Sequence, residues 1–444
     1  MSASLSEATL TGFSREAVEE LSRRKGEPRW LLQKRLAAWD VFESLPWPQR
    51  TDEEWRRTDY RALKLDRMAP FGFAADGAVA ESVLGDANAV SAGATNAGVV
   101  VQQDAATLRN EHDPKLAGEG VVFCDLDTAF RDHRELVEKY FMTQAVPAGL
   151  GKFEALHGAM WQGGMFLYVP KGRSVHLPYR NFVVASEGGS AVFTHTLAVL
   201  EEGAQAFVVD AYASPERDGQ TFTSAVVELI VARDAELRYV QVQDWGRNVW
   251  SFMTERAVLA EDAKLKSLQV TLGSRFARNS IGSHLRGKNS LAEMLGIYFG
   301  DGDQFFDHHT WQLHESPYAT SDLEFKGALK GSARSVYSGL IKVFEGAQKT
   351  DAYQQNRNLV LSRTARADSI PNLEIKANDV RCTHGATISQ VEEEHLCYLQ
   401  ARGVPRSEAQ KLIVEGFFRP VIDRIPVEEI QGFLEGAIAR KVGI

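Results

Sequence analysis

The chain has 444 residues, a formal net charge of -9, 44% hydrophobic and 25% charged residues. That is the balance of an ordinary folded protein of two or three domains, or one elongated unit, and it excludes wholesale disorder. No basic block supplies the footprint of a nucleic-acid binder, no apolar run reaches bilayer length and residues 1–20 lack a signal-peptide core, so a cytoplasmic location is expected.

Over residues 14–39 the apolar positions Val18, Leu21, Trp30, Leu31, Leu36 and Trp39 recur at helical spacing, interrupted at Gly26-Glu27-Pro28. Two helices joined by a proline-marked turn are predicted. After Phe42, Leu45, Pro46, Trp47 and Pro48, the run Thr51-Asp52-Glu53-Glu54 predicts a capped short helix carrying Trp55. Residues 72–119 are rich in Ala, Gly, Ser and Asn and read as a connection with one good strand at Val99-Val100-Val101. A strand is expected at Val121-Val122-Phe123, with Cys124 beside it as a buried small apolar residue, and then a helix over 127–140.

From about residue 160 to 373 one short register repeats. Around Ala235, Leu229 and Val231 precede, and Leu237, Val240 and Val242 follow. The same offsets from Ala263 give Ala257, Leu259, Leu265, Leu268 and Val270, and from Ala204 give Ala198, Leu200, Ala206, Val209 and Ala211. Around Ala347 and Ala365 the match loosens after the anchor, where Lys349, Gln354 and Asn372 intrude. Each unit reads as a period-two strand, a turn, a second short strand and a one-residue slip that exchanges faces. Gly203, Asp234, Asp262 and Gly346 occupy the turns, as residues that tolerate left-handed or tight backbone. Most anchors are separated by near multiples of about 14 residues, which fits a β-solenoid better than a doubly wound sheet or an evenly spaced antiparallel sandwich. Inside it, Phe166-Leu167-Tyr168-Val169 is a strand closed by Pro170-Lys171-Gly172, and Glu216-Arg217-Asp218-Gly219 an exposed loop. His308, His309 and His314 suggest a metal only if other groups converge on them; a solvated or paired sheet face is the expectation.

Past Leu373 the period becomes helical. Ser389 and Glu392 form a capping-box pattern before Leu396 and Leu399, stopped at Arg402-Gly403. A second helix takes Ala409, Leu412, Ile413 and Phe417 and is expected to stop at Pro420, and a third begins near Pro426. Such a bundle would cover the open solenoid end or meet a partner. At the junction, Cys382 and His384 would point the same way in an extended strand. Thiolate and imidazole suit zinc, copper or cluster iron, but two ligands do not close a site, and the spacing alone favours a structural role. No phosphate loop, nucleophile elbow or dinucleotide fingerprint is present, and nothing singles out a glycosidase carboxylate pair.

Several stretches together resemble the SufB/SufD scaffold family of the Suf iron–sulfur cluster assembly machinery. They are Lys25-Gly26-Glu27-Pro28-Arg29-Trp30-Leu31, Glu54-Trp55-Arg56-Arg57-Thr58-Asp59, Tyr168-Val169-Pro170-Lys171-Gly172, and Ala347-Gln348-Lys349-Thr350-Asp351-Ala352. Pro371-Asn372-Leu373-Glu374-Ile375, Cys382-Thr383-His384-Gly385-Ala386-Thr387, Tyr398-Leu399-Gln400-Ala401-Arg402-Gly403 and Gly416-Phe417-Phe418 complete the set. No cysteine lies in the stretch 360–368 and Gly385 follows His384, departures that look like the SufD branch. The resemblance implies a mainly β fold, a right-handed parallel β-helix flanked by helical ends. The implied divisions are 1–70 helical, 71–155 mixed, 156–376 β-helix and 377–444 a bundle that docks a SufC-like ATPase. It further implies a non-catalytic scaffold that pairs with a SufB-like chain, or with a second copy when alone. A transient iron–sulfur cluster would be shared with that partner, near His384 and then Cys382. Leu412, Phe417, Phe418 and Arg402 would meet the ATPase. The rival readings are an interaction protein without a cluster site and a carbohydrate-active β-helix enzyme.

Overall fold

The computed structural model describes residues 10–72, 96–425 and 428–443. Ahead of the first repeat lie β1 (Gly98–Gln103), β2 (Ala106–His112) and β3 (Val122–Asp125). Then come β4 (Gly163–Val169), β5 (Ser174–Val184), β6 (Ala191–Leu200), β7 (Gln205–Ala213), β8 (Thr221–Val231), β9 (Glu236–Asp244), β10 (Val249–Leu259) and β11 (Lys264–Thr271). The rest are β12 (Phe276–Leu285), β13 (Leu291–Gly300), β14 (Phe305–His314), β15 (Thr320–Leu329), β16 (Arg334–Val343), β17 (Asp351–Val360), β18 (Arg366–Ile375) and β19 (Arg381–Gln390).

From β4 on, strands alternate between two sheets and every pairing along the repeat is parallel, so two strands make one turn of a parallel β-helix. Trp250 pairs with Phe276 and Arg334 with Arg366, offsets of 26 and 32 residues that bracket the turns. The half-step near 14 is therefore one strand plus one corner. One corner repeats a hydrogen bond: Gly172, Gly203, Asp234, Asp262, Asn289 and Tyr318 each have positive φ, and each N–H donates to a carbonyl one turn further on. Gly346 does not share this conformation; Lys349, three residues later, does, with φ 61°.

Tyr318 is the costly member of this column, a half-exposed aromatic at φ 61° with Lys288 over its ring. Tyr318→Gly should therefore stabilise the fold by roughly 0.5–1 kcal/mol, the left-handed penalty less the extra entropy glycine loses. The check is a higher urea midpoint; a lower one would refute the strain.

The expected face-swapping slip does not occur. Leu237, Tyr239, Gln241 and Gln243 all alternate on the inner side of β9, and Val240 and Val242 on the outer side. Both faces are apolar because the outer one is covered too. The C-terminal helices Arg406–Ile422 and Glu428–Val442 lay Val414, Phe418, Val421, Ile430, Leu434 and Ile438 along the outward stripe of Val209, Val240, Leu268, Leu295 and Phe299. The bundle thus packs on the flank of the β-helix and not over its end, burying the outward apolar stripe there. Arg424 ties it to Asp322 at 2.6 Å, and Lys326 Nζ donates to the Phe417 carbonyl at 2.9 Å.

On the other sheet, helices α1 (Arg15–Arg24) and α2 (Arg29–Ser44) and the segment after them cover Phe193, Phe222, Phe252 and Phe276. Ser14 caps the first helix through the Ala17 N–H, and the break at Gly26 has φ 64°. The Thr51 cap is absent: a short 3-10 turn, Glu53–Trp55, presents Trp55 to Phe153. Residues 127–140 divide into Leu126–Asp132 and Arg134–Tyr140, which lets Phe130 and Tyr140 enter one cluster. The connection expected at 72–119 is described only from residue 96, and the third terminal helix from Glu428.

Within the turns the lumen is not uniformly apolar. In-register inner positions Asn181, Asp210, Gln241 and Gln269 form a polar file. Asp210 accepts from Asn181, Thr196 and Tyr239 at 2.9, 2.8 and 2.7 Å.

Candidate functional site: the open last turn

β19 follows residue 376, the expected end of the β-helix, because its backbone completes the ladder with β17 over Arg381–Gln390. Ser389 is accordingly part of a strand, and the next helix, Glu393–Ala401, starts at Glu392 without a side-chain cap. Among the described residues neither β18 nor β19 has a strand on its far side. Their lumen-facing side chains have no further turn above them, so Leu373, Ile375 and Ile388 remain exposed, Ile388 by half. An open edge with exposed apolar residues is a site for pairing with another chain.

Cys382 and His384 share the inner face of β19, in register with Ala352 and Gln354. The structure brings these two together and leaves His384 exposed. Cys382 is half-buried against the cluster of Ile341, Val343, Ala347 and Ala352, and burial raises its thiol pKa, with the charge of Asp351 adding to the rise. Its packing favours the protonated thiol; deprotonation would need a strong cation. Among the described residues no set of three or more His, Cys, Asp and Glu side chains converges to hold a metal.

The histidines near 308 are not on a solvated face. His308 points into the lumen, 3.1 Å from Thr271 Oγ1 and stacked on Tyr298, while His309 lies 3.0 Å from Asp307 on the outer face. His314 is buried at 2.8 Å from Ser321 Oγ. Cys124 is buried as expected, its thiol pushed up to about 12 by burial and the neighbouring Asp125 charge.

Of the four residues expected to meet an ATPase, Leu412 and Arg402 are exposed, Arg402 lying over the Tyr398 ring. Phe417 is partly covered by Lys326. Phe418 is fully buried beside Phe299 of its own β-helix, where it anchors the bundle. Sequence reasoning overlooked Gln354, whose signal was its intrusion into an apolar register. It also overlooked the chain Ser224–His157–His195–Glu228, closed at 3.0, 3.2 and 3.1 Å, which Glu228 ends by accepting the Met142 and Val146 N–H groups.

These features define a parallel β-helix protein, flanked by helices and open at its final turn, where a thiol and an imidazole stand side by side. Residues 182–417 match the family model described as the SUF system FeS cluster assembly, SufBD core domain, and residues 15–180 the SufBD protein N-terminal region. The chain belongs to the SufBD family. It is 29% identical over 427 residues to an iron–sulfur cluster assembly SufBD family protein of Staphylococcus saprophyticus, covering 94% of this chain and 90% of the relative. The corresponding protein of Staphylococcus aureus strain USA300 gives the same identity and coverage.

Proposed function

We propose that this chain is the SufD-type, non-catalytic scaffold subunit of a cytoplasmic iron–sulfur cluster assembly complex. Its open turn would pair with a SufB-like chain, or with a second copy when alone, and its C-terminal helices would dock a SufC-like ATPase. The observation that carries the reading is an exposed His384 beside Cys382 on an edge strand whose far side is open among the described residues, a half-site that a partner's cysteine and carboxylate would complete. The names of the relatives, both iron–sulfur cluster assembly proteins, support it. His384, the exposed member of the pair, is the first ligand, by its match to the family motif, and Cys382 the second. The cluster is cargo, held during assembly and passed on. Closure of paired ATPase subunits would pull on the bundles and shift the paired β-helices, changing access to that cargo.

His384→Ala, in an anaerobic complex reconstituted with SufB-like and SufC-like subunits, should lower bound iron and sulfide at least tenfold with subunit stoichiometry unchanged. Undiminished iron and sulfide would defeat the assignment.

A further inference from the structure

Gln354 is fully buried beneath the last turn, and among the described residues neither its amide nitrogen nor its carbonyl oxygen has a hydrogen-bond partner. Burying an unpaired amide is unfavourable, and the neighbouring side chains on its strand do not repeat the pattern: Asn356 and Asn358 bond Tyr298 and each other. The opposing wall is built to receive it. Gly339 faces the Gln354 amide across the lumen, and a methyl group at that position would collide with the amide nitrogen. Above, Gln354 is the in-register neighbour of His384 on the same inner face.

We propose that Gln354 is a positioning residue for His384: its carbonyl oxygen accepts one imidazole N–H, leaving the other ring nitrogen bare for a soft metal ion. The proposal rests on the reading of the last turn given above and names the device that prepares its ligand. A ligating imidazole ordinarily donates its second N–H to a carbonyl or carboxylate, which selects the tautomer and aims the ring. Here the acceptor belongs to the preceding turn, held by a rigid ladder. The amide N–H of Gln354 remains to donate to an anionic sulfur seated above it, a charge-assisted bond. The imidazole, turned inward, satisfies the carbonyl half and a bound sulfur the N–H half of an amide that has no other partner among the described residues.

The test uses the reduced, anaerobic full-length chain with cobalt(II) as probe and nitrogen-15 histidine spectra at pH 8. In the native chain His384 should show one dominant tautomer, assigned by its absence in His384→Ala. Gln354→Leu should return it to the mixture of a free imidazole and weaken cobalt(II) binding at least tenfold. Gly339→Ala, which displaces the amide without removing it, should move both readouts the same way, while Gln354→Glu should restore the tautomer. An unchanged tautomer and cobalt(II) affinity in folded Gln354→Leu, with binding lost in His384→Ala, would overturn the role of Gln354 alone. Cobalt(II) affinity unaltered in His384→Ala would overturn both this role and the half-site.

Discussion

Asp307→Ala should destabilise the protein by on the order of 3–5 kcal/mol, the cost of leaving a buried cation without its counter-charge. The carboxylate sits on the outer face of β14 under the segment that follows α2, where it accepts from the Thr58 hydroxyl and the Arg278 guanidinium and lies 3.0 Å from His309. Burial by itself would raise its pKa; the charges of His309 and Arg278 outweigh that and hold it well below the usual carboxylate range. Arg278 is further enclosed, its guanidinium 3.8 Å from the Trp55 ring centroid and donating to the Glu54 carbonyl. Removing Asp307 therefore strands Arg278 and loosens residues 54–58 from the β-helix. Urea denaturation should show the loss, and limited proteolysis should show faster cleavage near residue 55. Thr58→Val, which removes one neutral donor, should cost only about 1 kcal/mol. A loss below that in Asp307→Ala would mean the clamp is not stabilising.

Glu255→Gln should have the opposite sign, growing with pH. Glu255 faces the lumen from β10, where Gln269 donates to it. Burial pushes its pKa up to about 8, the Gln269 hydrogen bond opposes that, and the charge of Asp210 raises it again. An acid whose folded pKa lies above its unfolded value keeps its proton in the fold while the unfolded chain releases it. No penalty exists below the ordinary carboxylate pKa, stability falls as pH rises between that value and about 8, and the penalty is complete above it. Glutamine keeps the shape without the ionisation. Its advantage should be near zero at pH 4.5 and reach on the order of 5 kcal/mol at pH 8.5. Paired denaturation curves at the two values decide it; a pH-independent difference would mean that Glu255 does not titrate in the fold.

Much of this architecture was legible in the chain because it depends on local chemistry. Ser14 and Gly26 punctuate the first helices through a side-chain acceptor and a positive φ. Gly203, Asp234 and Asp262 mark a corner for the same reason, and Ala204, Ala235 and Ala263 follow it because only a small side chain fits the turn interior. Where local signals competed with packing, packing won. Ser389 and Glu392 form a good cap pattern, yet Ser389 is in a strand because β17 offers a ladder edge. Pro420 does not end its helix: Val421 and Ile422 continue it and are buried against the sheet, so packing outweighs the backbone hydrogen bond that proline removes.

By itself the sequence determined the repeat, its corners, the helical ends and the junction that carries Cys382 and His384, since backbone propensity and apolar spacing are written residue by residue. Only the tertiary structure decided which apolar face turns inward, that the terminal helices lie along the flank, that Phe418 is enclosed, and that Gln354 waits unpaired beneath His384. The physical reason is that spacing reports that a side chain is covered, whereas what covers it depends on residues one turn, or one hundred residues, away.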